Sequence, residues 1–337
     1  MRDLIAKILD GDSLTEEEAG RLLTDLTSED LDPALAAAAL AGMRTRGETS
    51  EEMRAFARGL QEIAVMPDIA DVSRAVDVVG TGGDSSGSLN LSTGAALLAA
   101  AAGAEVIKHG NRSVSSRSGS FDVLGALGLD VPWNAERSGE IFEETGFTYL
   151  FAPAFHPSMR AIAPVRQSLG TRTIFNLVGP LANPARAPHL VVGAFSAHCA
   201  EMMAETLSGM EITRAFVIHG EPGWDEPTPV GPYLMLDVTP GRVERLMEDP
   251  AEFGIDRCEP EDLVGGDADH NAGAIKEVFA GQPGPHRDAL VLGASLALRV
   301  RGVSTDDAMG MASSAIDDGT AMELLTRLAA TQETVDV

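Results

Sequence analysis

Asp225 and Glu226 stand side by side in HGEPGWDEPTPVG, residues 219–231. Adjacent carboxylates after an apolar run offer hard oxygen ligands to magnesium; the alternative is two solvated acids in a chain that carries 51 of them. A second stretch with chemical potential is KHGNRSVSSRSGS, residues 108–120, where Lys108, Arg112 and Arg117 gather with Asn111 and five serines and no acid intervenes. Donors this dense, in a chain otherwise so acidic, suit a multiply phosphorylated ligand. The third is VVGTGGDSSGSLNLST, residues 78–93, in which two valines run into Gly80, Gly82, Gly83 and Asp84. It matches neither common phosphate signature. The dinucleotide spacing, started at Gly80, needs a third glycine where Ser85 stands, and the P-loop spacing puts Ser88 where a lysine is required. What remains is a strand–glycine–helix loop, either an anion cradle of free N–H groups or a tight βα turn.

The fourth stretch, HPSMRAIAPVRQSLGTRTIFNLVGPLANP at 156–184, carries Arg160, Arg166 and Arg172. On one helix the six-residue step turns Arg160 about 600° from Arg166, so only one of the two faces a site. His156 heads the segment, and a lone histidine is more often a core or capping residue than a catalytic one.

The elements that must position these residues follow from hydrophobic period. Residues 1–66 carry helical spacing only, with acids opening LTEEEAGRLLTDLTS and a Thr/Ser cap opening TSEEMRAFARGLQEIA. After Pro67 the rhythm becomes strand–helix alternation. AVDVVG, AEVIKHG, FTYLFAP, HLVVGAF and RAFVIHG read as strands, with helices between them, and YLMLDV and GRVERLM as later strands. The expected fold is α/β: a small all-helical domain over 1–66 and a larger domain over 67–337 whose mostly parallel central sheet is covered by helices. Ser92 or Thr93 is expected to cap the helix in GAALLAAAAG, and Pro164 to interrupt the helix that carries the arginines. The loops 80–93, 108–120 and 220–229 all follow strands. Ligands of such sheets bind beyond the strands' carboxyl ends, so the three loops should converge.

Composition narrows the partners. The net charge of −26, from 25 basic and 51 acidic residues, opposes binding to nucleic acid or an anionic membrane. Cys199 and Cys258 form no CxxC pair, which suits a reducing, cytoplasmic setting. The opening MRDLIAKILDGDSLTEEEAG lacks the cationic and apolar regions of a signal peptide, and the longest apolar run, GAALLAAAAGA, is too short to span a bilayer.

Taken together, GTGGD, NLST, KHGNRSVSS, HPSM…APVRQSLGTRTIFNLVGPLANP and the DE pair resemble the anthranilate phosphoribosyltransferases, in the right order and over essentially the whole chain, out to GGDADHNAGAIKEVFAG. The resemblance implies transfer of the phosphoribosyl group of 5-phosphoribosyl 1-diphosphate (PRPP) to the amine of anthranilate, on the way to tryptophan. It alone implies that a segment near 157–182 is a helical insertion belonging to the small domain. It implies that Gly80, Gly83, Asp84, Ser88, Asn90, Leu91, Ser92 and Thr93 hold PRPP. Lys108, His109, Gly110, Asn111, Arg112, Ser113, Val114, Ser115, Ser116 and Ser120 would close around it. Gly80, Asn111 and Arg166 would contact anthranilate, with His109 and His156 shaping its pocket. Ser92, Asp225 and Glu226 would hold Mg2+, two ions per subunit, and the chain would pair as a homodimer through its helical domain. No catalytic base is assigned; Lys108 and the metal act electrostatically. The chain departs from the family pattern at Ser88, often threonine there, at Arg117, often lysine, and at Trp224, which takes the place of a leucine before the acids.

Overall fold

The computed structural model describes residues 1–84, 86–112 and 117–331. Its first stretch is helical: Arg2–Leu9, Glu16–Leu26, Pro33–Arg46 and Ser50–Glu62. Local signals set the ends. Thr15 and Thr49 each form a reciprocal capping box with the glutamate three residues on, Glu18 and Glu52, so two orphan N–H groups are satisfied at each start. Asp32 caps the third helix, and Pro33 takes its first position, where no N–H is needed.

The rest is built on one sheet. Its strands are β1 (Ala75–Gly80), β2 (Glu105–Gly110), β3 (Phe147–Phe151), β4 (His189–Gly193), β5 (Arg214–Gly220), β6 (Tyr233–Thr239) and β7 (Arg242–Glu248). They lie in the order β3-β2-β1-β4-β5-β6-β7; the first five are parallel, and β6 and β7 return antiparallel. The order reverses between β1 and β4. That is the switch point at which open α/β sheets leave a crevice.

Each strand sends alternate residues to opposite faces. On β4, Val191 joins the apolar cluster on one face, with Val76, Val106 and Phe216, while Leu190 and Val192 join the other. The first face is covered by the helices Leu91–Ala101 and Pro285–Arg299, packed closely because glycine leaves room: a Cβ on Gly94 would meet Leu290 at 2.7 Å, and one on Gly293 would meet Ala95 at 2.8 Å. The second face is covered by the helix Ala197–Ser208, and the same cluster continues into Leu23, Met53 and Phe56 of the N-terminal helices. It also takes in Ile162, Val165, Ile174 and Phe175 of the arginine-bearing segment. The helical bundle and the back of the sheet thus share apolar packing.

The expected interruption near Pro164 is present, at Ala161 and Ile162. Pro157–Arg160 is a short 3-10 turn, and the helix Ala163–Leu169 begins after it with Pro164 in its first turn. Proline starts this helix, where its missing N–H costs nothing.

Candidate active site

Gly80, Gly193 and Gly220 end β1, β4 and β5, three neighbours in the sheet. All three give way to the acid loop. A Cβ on Gly80 would lie 2.6 Å from Asp225 Oδ2, one on Gly193 would run into the Asp225 carbonyl, and one on Gly220 into the Glu226 carbonyl. Trp224, 7% exposed, anchors the loop in the apolar cluster on the first face of the sheet. Its carbonyl accepts from Gly220 N–H at 2.9 Å. Asp225 is thereby seated in the crevice. Its Oδ2 accepts from Gly82 N–H at 2.6 Å and from Thr81 Oγ1 at 3.3 Å.

Glu226 reaches the neighbouring helix. Its Oε1 accepts from Ser92 N–H at 3.0 Å. This corrects the expected cap: the helix starts at Leu91, Ser92 lies inside its first turn, and neither Ser92 nor Thr93 caps it. A carboxylate from a distant loop satisfies the free N–H and meets the positive end of the helix dipole. Asp84 braces the glycine loop from within. Its Oδ1 accepts from Ser86 N–H and Oγ at 3.1 and 3.0 Å, and its Oδ2 accepts from Asp225 N–H at 3.4 Å. Ser88 Oγ pairs with Ser86 Oγ at 3.0 Å.

Three acids in one crevice repel. Burial first, then the charge of Asp84, pushes Asp225 up to about 7. Burial and Asp225 hold Glu226 well above the usual carboxylate range. The compensating charge is Lys108, 2% exposed, whose Nζ donates to the Val78 carbonyl at 2.5 Å. Burial lowers its pKa, while Asp77, Glu226 and Asp225 draw it back up. Lys108 therefore ends in the interior against the β1 backbone rather than reaching freely toward solvent. Asp77, fully buried and pushed up to about 6 by that burial, accepts from His109 N–H at 3.1 Å and from Asn183 Nδ2 at 2.8 Å.

The second loop joins the first. Asn90 Nδ2 donates to the Ser118 carbonyl at 3.1 Å. Gly110 makes room for Ser120 and Tyr149, whose hydroxyls pair at 3.0 Å, and Ser120 Oγ donates to the Asn111 carbonyl at 3.1 Å. Asn111 and Arg112 are exposed, with the Arg112 guanidinium 4.4 Å from the Phe121 ring centre. Ser113, Val114, Ser115 and Ser116 lie outside the described residues.

His109 and His156, both 5% exposed, meet edge to face with ring centres 5.2 Å apart. Burial pushes His109 down to about 3 and lowers His156 as well, so both rings are neutral. Arg166 is half-buried, its guanidinium 5.3 Å from the Phe175 ring centre, and burial lowers its pKa. Among the described residues no ion pair or hydrogen bond ties it to either loop. Arg160 is exposed, and it lies on the 3-10 turn rather than on the helix of Arg166, so the expected single-helix spacing does not apply to the pair. Arg172 turns instead to the glycine loop: it donates to the Gly83 carbonyl and stacks 3.9 Å from the Phe195 ring centre, while its own carbonyl accepts from Arg44 at 2.8 Å.

The donor set fits magnesium. Ser92, Asp225 and Glu226 line one pocket at the switch point, and the two carboxylates are held there against their own repulsion. Among the described residues no group of three or more acids, histidines or cysteines forms a closed cage. Magnesium commonly takes one or two carboxylates and completes its shell with water and substrate phosphate.

A helical bundle beside a parallel sheet, with an acid loop and a donor-rich loop meeting at its switch point, defines a two-part glycosyl transferase. Residues 72–322 match the α/β domain of a glycosyl transferase family, and residues 2–64 match that family's helical bundle domain. The chain belongs to this family, and within it to the anthranilate phosphoribosyltransferases. It is 42% identical over 328 residues to that enzyme of Methylobacterium nodulans, covering 97% of each chain. It is 44% identical over 330 residues to that of Anaeromyxobacter dehalogenans, again covering 97% of each. The crystal structure of the Thermus thermophilus anthranilate phosphoribosyltransferase superposes with a TM-score of 0.90 at 40% identity, over 97% of this chain and 98% of that one. The Saccharomyces cerevisiae enzyme, solved in complex with PRPP and Mg, has the same fold at 23% identity, with a TM-score of 0.84 over 95% and 93% of the two chains.

Two outcomes follow from the seat of the acid loop. Gly193→Ala drives a methyl into the Asp225 backbone and should cost about 1–3 kcal/mol, with loss of activity. Gly273→Ala, a helical glycine facing open space, should hold or gain stability; thermal melts compare the two. For magnesium, the sign runs with pH. Because Asp225 is raised in the fold, the folded chain holds more protons than the unfolded chain between about pH 4 and 7. The metal-free protein therefore loses that part of its stability as pH rises through this window. Magnesium needs the ionised form, so its stabilisation should grow in the same direction. The rise in Tm on adding Mg2+ should be larger at pH 8 than at pH 6; an equal rise at both would contradict the assignment.

Proposed function

We infer that this chain transfers the phosphoribosyl group of PRPP to the amine of anthranilate, releasing diphosphate and giving N-(5-phosphoribosyl)anthranilate, a step of tryptophan biosynthesis. The observation that carries this reading is the meeting of the acid loop, the glycine loop and the donor-rich loop at one helix N-terminus. We assign PRPP to the glycine loop and the first turn of Leu91–Ala101, with Lys108 to Ser116 and Ser120 closing over it. Anthranilate is assigned to Arg166 with Gly80 and Asn111, between the neutral His109 and His156 rings.

The anthranilate nitrogen attacks C1 of the ribose while the C1–oxygen bond to diphosphate breaks. The nitrogen's surplus proton leaves to water or to the departing diphosphate. The amine is neutral near pH 7, so no strong base is needed, and none is assigned. What the chain supplies is position and charge. The Lys108 ammonium at the crevice floor, and those N–H groups of the glycine loop that Asp84 and Asp225 do not occupy, would stabilise negative charge as it grows on the leaving group; groups so aimed are worth about 3–4 kcal/mol each. Holding both substrates in line is the other large contribution. Arg166 suits a carboxylate, which a guanidinium grips in a fork. Magnesium, held by Asp225, Glu226 and Ser92, supplies neutralising charge to the diphosphate when bound, and the family resemblance points to two ions per subunit.

We extend the reading to a helical unit over 1–66 with the segment 157–182, beside the unit over 67–337, and to a homodimer joined through the helices. The free thiols of Cys199 and Cys258 support a reducing, cytoplasmic setting. Among the described residues no helix is long and apolar enough to cross a membrane.

The test follows anthranilate fluorescence. It should fall on adding PRPP and Mg2+, and stay constant if either is withheld. Arg166→Ala should raise the KM for anthranilate by about tenfold or more, the cost of one charge-assisted contact, with little change for PRPP. Equal rises for both substrates would remove Arg166 from the anthranilate site.

A further inference from the structure

Asn90 ends the glycine loop and stands at the N-cap of the helix Leu91–Ala101, yet its side chain makes no capping bond. Asparagine at that position ordinarily bonds the helix's own N–H groups. Here Glu226 serves Ser92 N–H, and the Asn90 amide is turned elsewhere. Its Oδ1 accepts from Asn271 Nδ2 at 2.8 Å, and its Nδ2 donates to the Ser118 carbonyl of the second loop at 3.1 Å. Asn271 is 2% exposed, in the first turn of the helix Ala268–Phe279. Its own Oδ1 accepts from Gly266 N–H at 2.6 Å.

We propose that Asn271 is a positioning residue for the PRPP site, orienting Asn90 and through it joining the glycine loop to the donor-rich loop. Polarity fixes the relay. Asn271 must donate to Asn90 because its oxygen is taken by Gly266. Asn90 must therefore present oxygen to Asn271 and nitrogen to Ser118. A flip of either amide sets oxygen against oxygen or nitrogen against nitrogen, so the Asn90 side chain has one satisfied orientation. Among the described residues, one N–H of Asn90 Nδ2 has no partner and would be open to a ligand.

The backbone around Asn271 is built to hold it at this distance. The segment 263–266 runs along the glycine loop: Leu89 N–H donates to the Leu263 carbonyl at 3.0 Å, Gly265 N–H donates to the Gly87 carbonyl at 2.8 Å, and Ser88 pairs antiparallel with Val264. Only glycine fits at 265, where a Cβ would lie 2.5 Å from the Ser88 carbonyl oxygen. The Asn271 bond to Gly266 N–H closes this strap. A C-terminal helix thus reaches a loop 181 residues earlier in the chain.

The inference rests on the assignment of Asn90 to PRPP, and the experiment separates the two. Steady-state KM values for PRPP and anthranilate are measured for the full chain carrying Asn90→Ala, Asn271→Asp, Asn271→Ala and the Asn90→Ala/Asn271→Ala pair. Asn271→Asp keeps the acceptor for Gly266 and places an acid in the first turn of a helix, where it is favoured; the donor to Asn90 is exchanged for a buried carboxylate oxygen, which sets oxygen against oxygen at that contact. Expected is a rise of about tenfold in the PRPP KM for either Asn271 variant, the effect of one buried hydrogen bond. The anthranilate KM should stay within about twofold, and the double variant should be no worse than Asn90→Ala alone. Multiplied penalties in the double variant, an unchanged PRPP KM in Asn271→Asp, or equal rises for both substrates would overturn the proposal. An unchanged PRPP KM in Asn90→Ala would overturn the assignment of Asn90, and the proposal with it.

Discussion

Asp225 is buried at the carboxyl ends of β1 and β4, where a side chain on either strand's last residue would collide with it. Much of the candidate site depends on that seat. A carboxylate taken out of water needs donors, and Thr81 and Gly82 supply them, which holds the glycine loop in place. The loop that carries Asp225 also carries Glu226, which satisfies the first turn of the helix Leu91–Ala101. With the helix end occupied from outside, Asn90 is released to join the second loop. The charge that these acids concentrate is answered by Lys108, itself balanced by Asp77.

This arrangement also shows how a chain of net charge −26 could carry the proposed phosphate site. The surplus of acids acts over the whole surface, but at the crevice the balance is local. Two raised carboxylates invite a divalent cation, and the backbone N–H groups of the glycine loop, Lys108 and the basic second loop add positive potential around it. Asp84, out of place in a phosphate cradle, spends its oxygens on Ser86 and Asp225 and leaves the N–H groups around it in order.

Where the chemistry of an element lies within a few residues, the sequence was readable. AVDVVG is β1 residue for residue, AEVIKHG contains β2, and the Thr49 cap opens its helix. The convergence of three loops also followed from each loop coming after a strand of a mostly parallel sheet. Features decided by distant partners were not readable. Ser92 and Thr93 look like caps, but the group that satisfies the helix lies 134 residues away. Gly193 and Gly220 read as ordinary strand ends; the recurrent glycine closing VDVVG, HLVVG and FVIHG was a signal that a bulky loop crosses them. Asn183 and Asn271 carried no local mark of function, since each acts on a side chain more than a hundred residues off. The interruption near Pro164 was legible, because a proline in that place either breaks a helix or begins one, and here it begins the second of two short pieces.

The central claim is that Asp225 and Glu226 convert a glycine-lined crevice into a magnesium-dependent diphosphate site. Calorimetric titration of PRPP into the chain, with and without Mg2+, tests it directly when the same titrations are run on Asp225→Asn/Glu226→Gln, whose amides keep the shape and still accept from the neighbouring N–H groups. The account predicts that Mg2+ tightens PRPP binding strongly in the unaltered chain and hardly at all in the double variant. The same gain from Mg2+ in both proteins would contradict it.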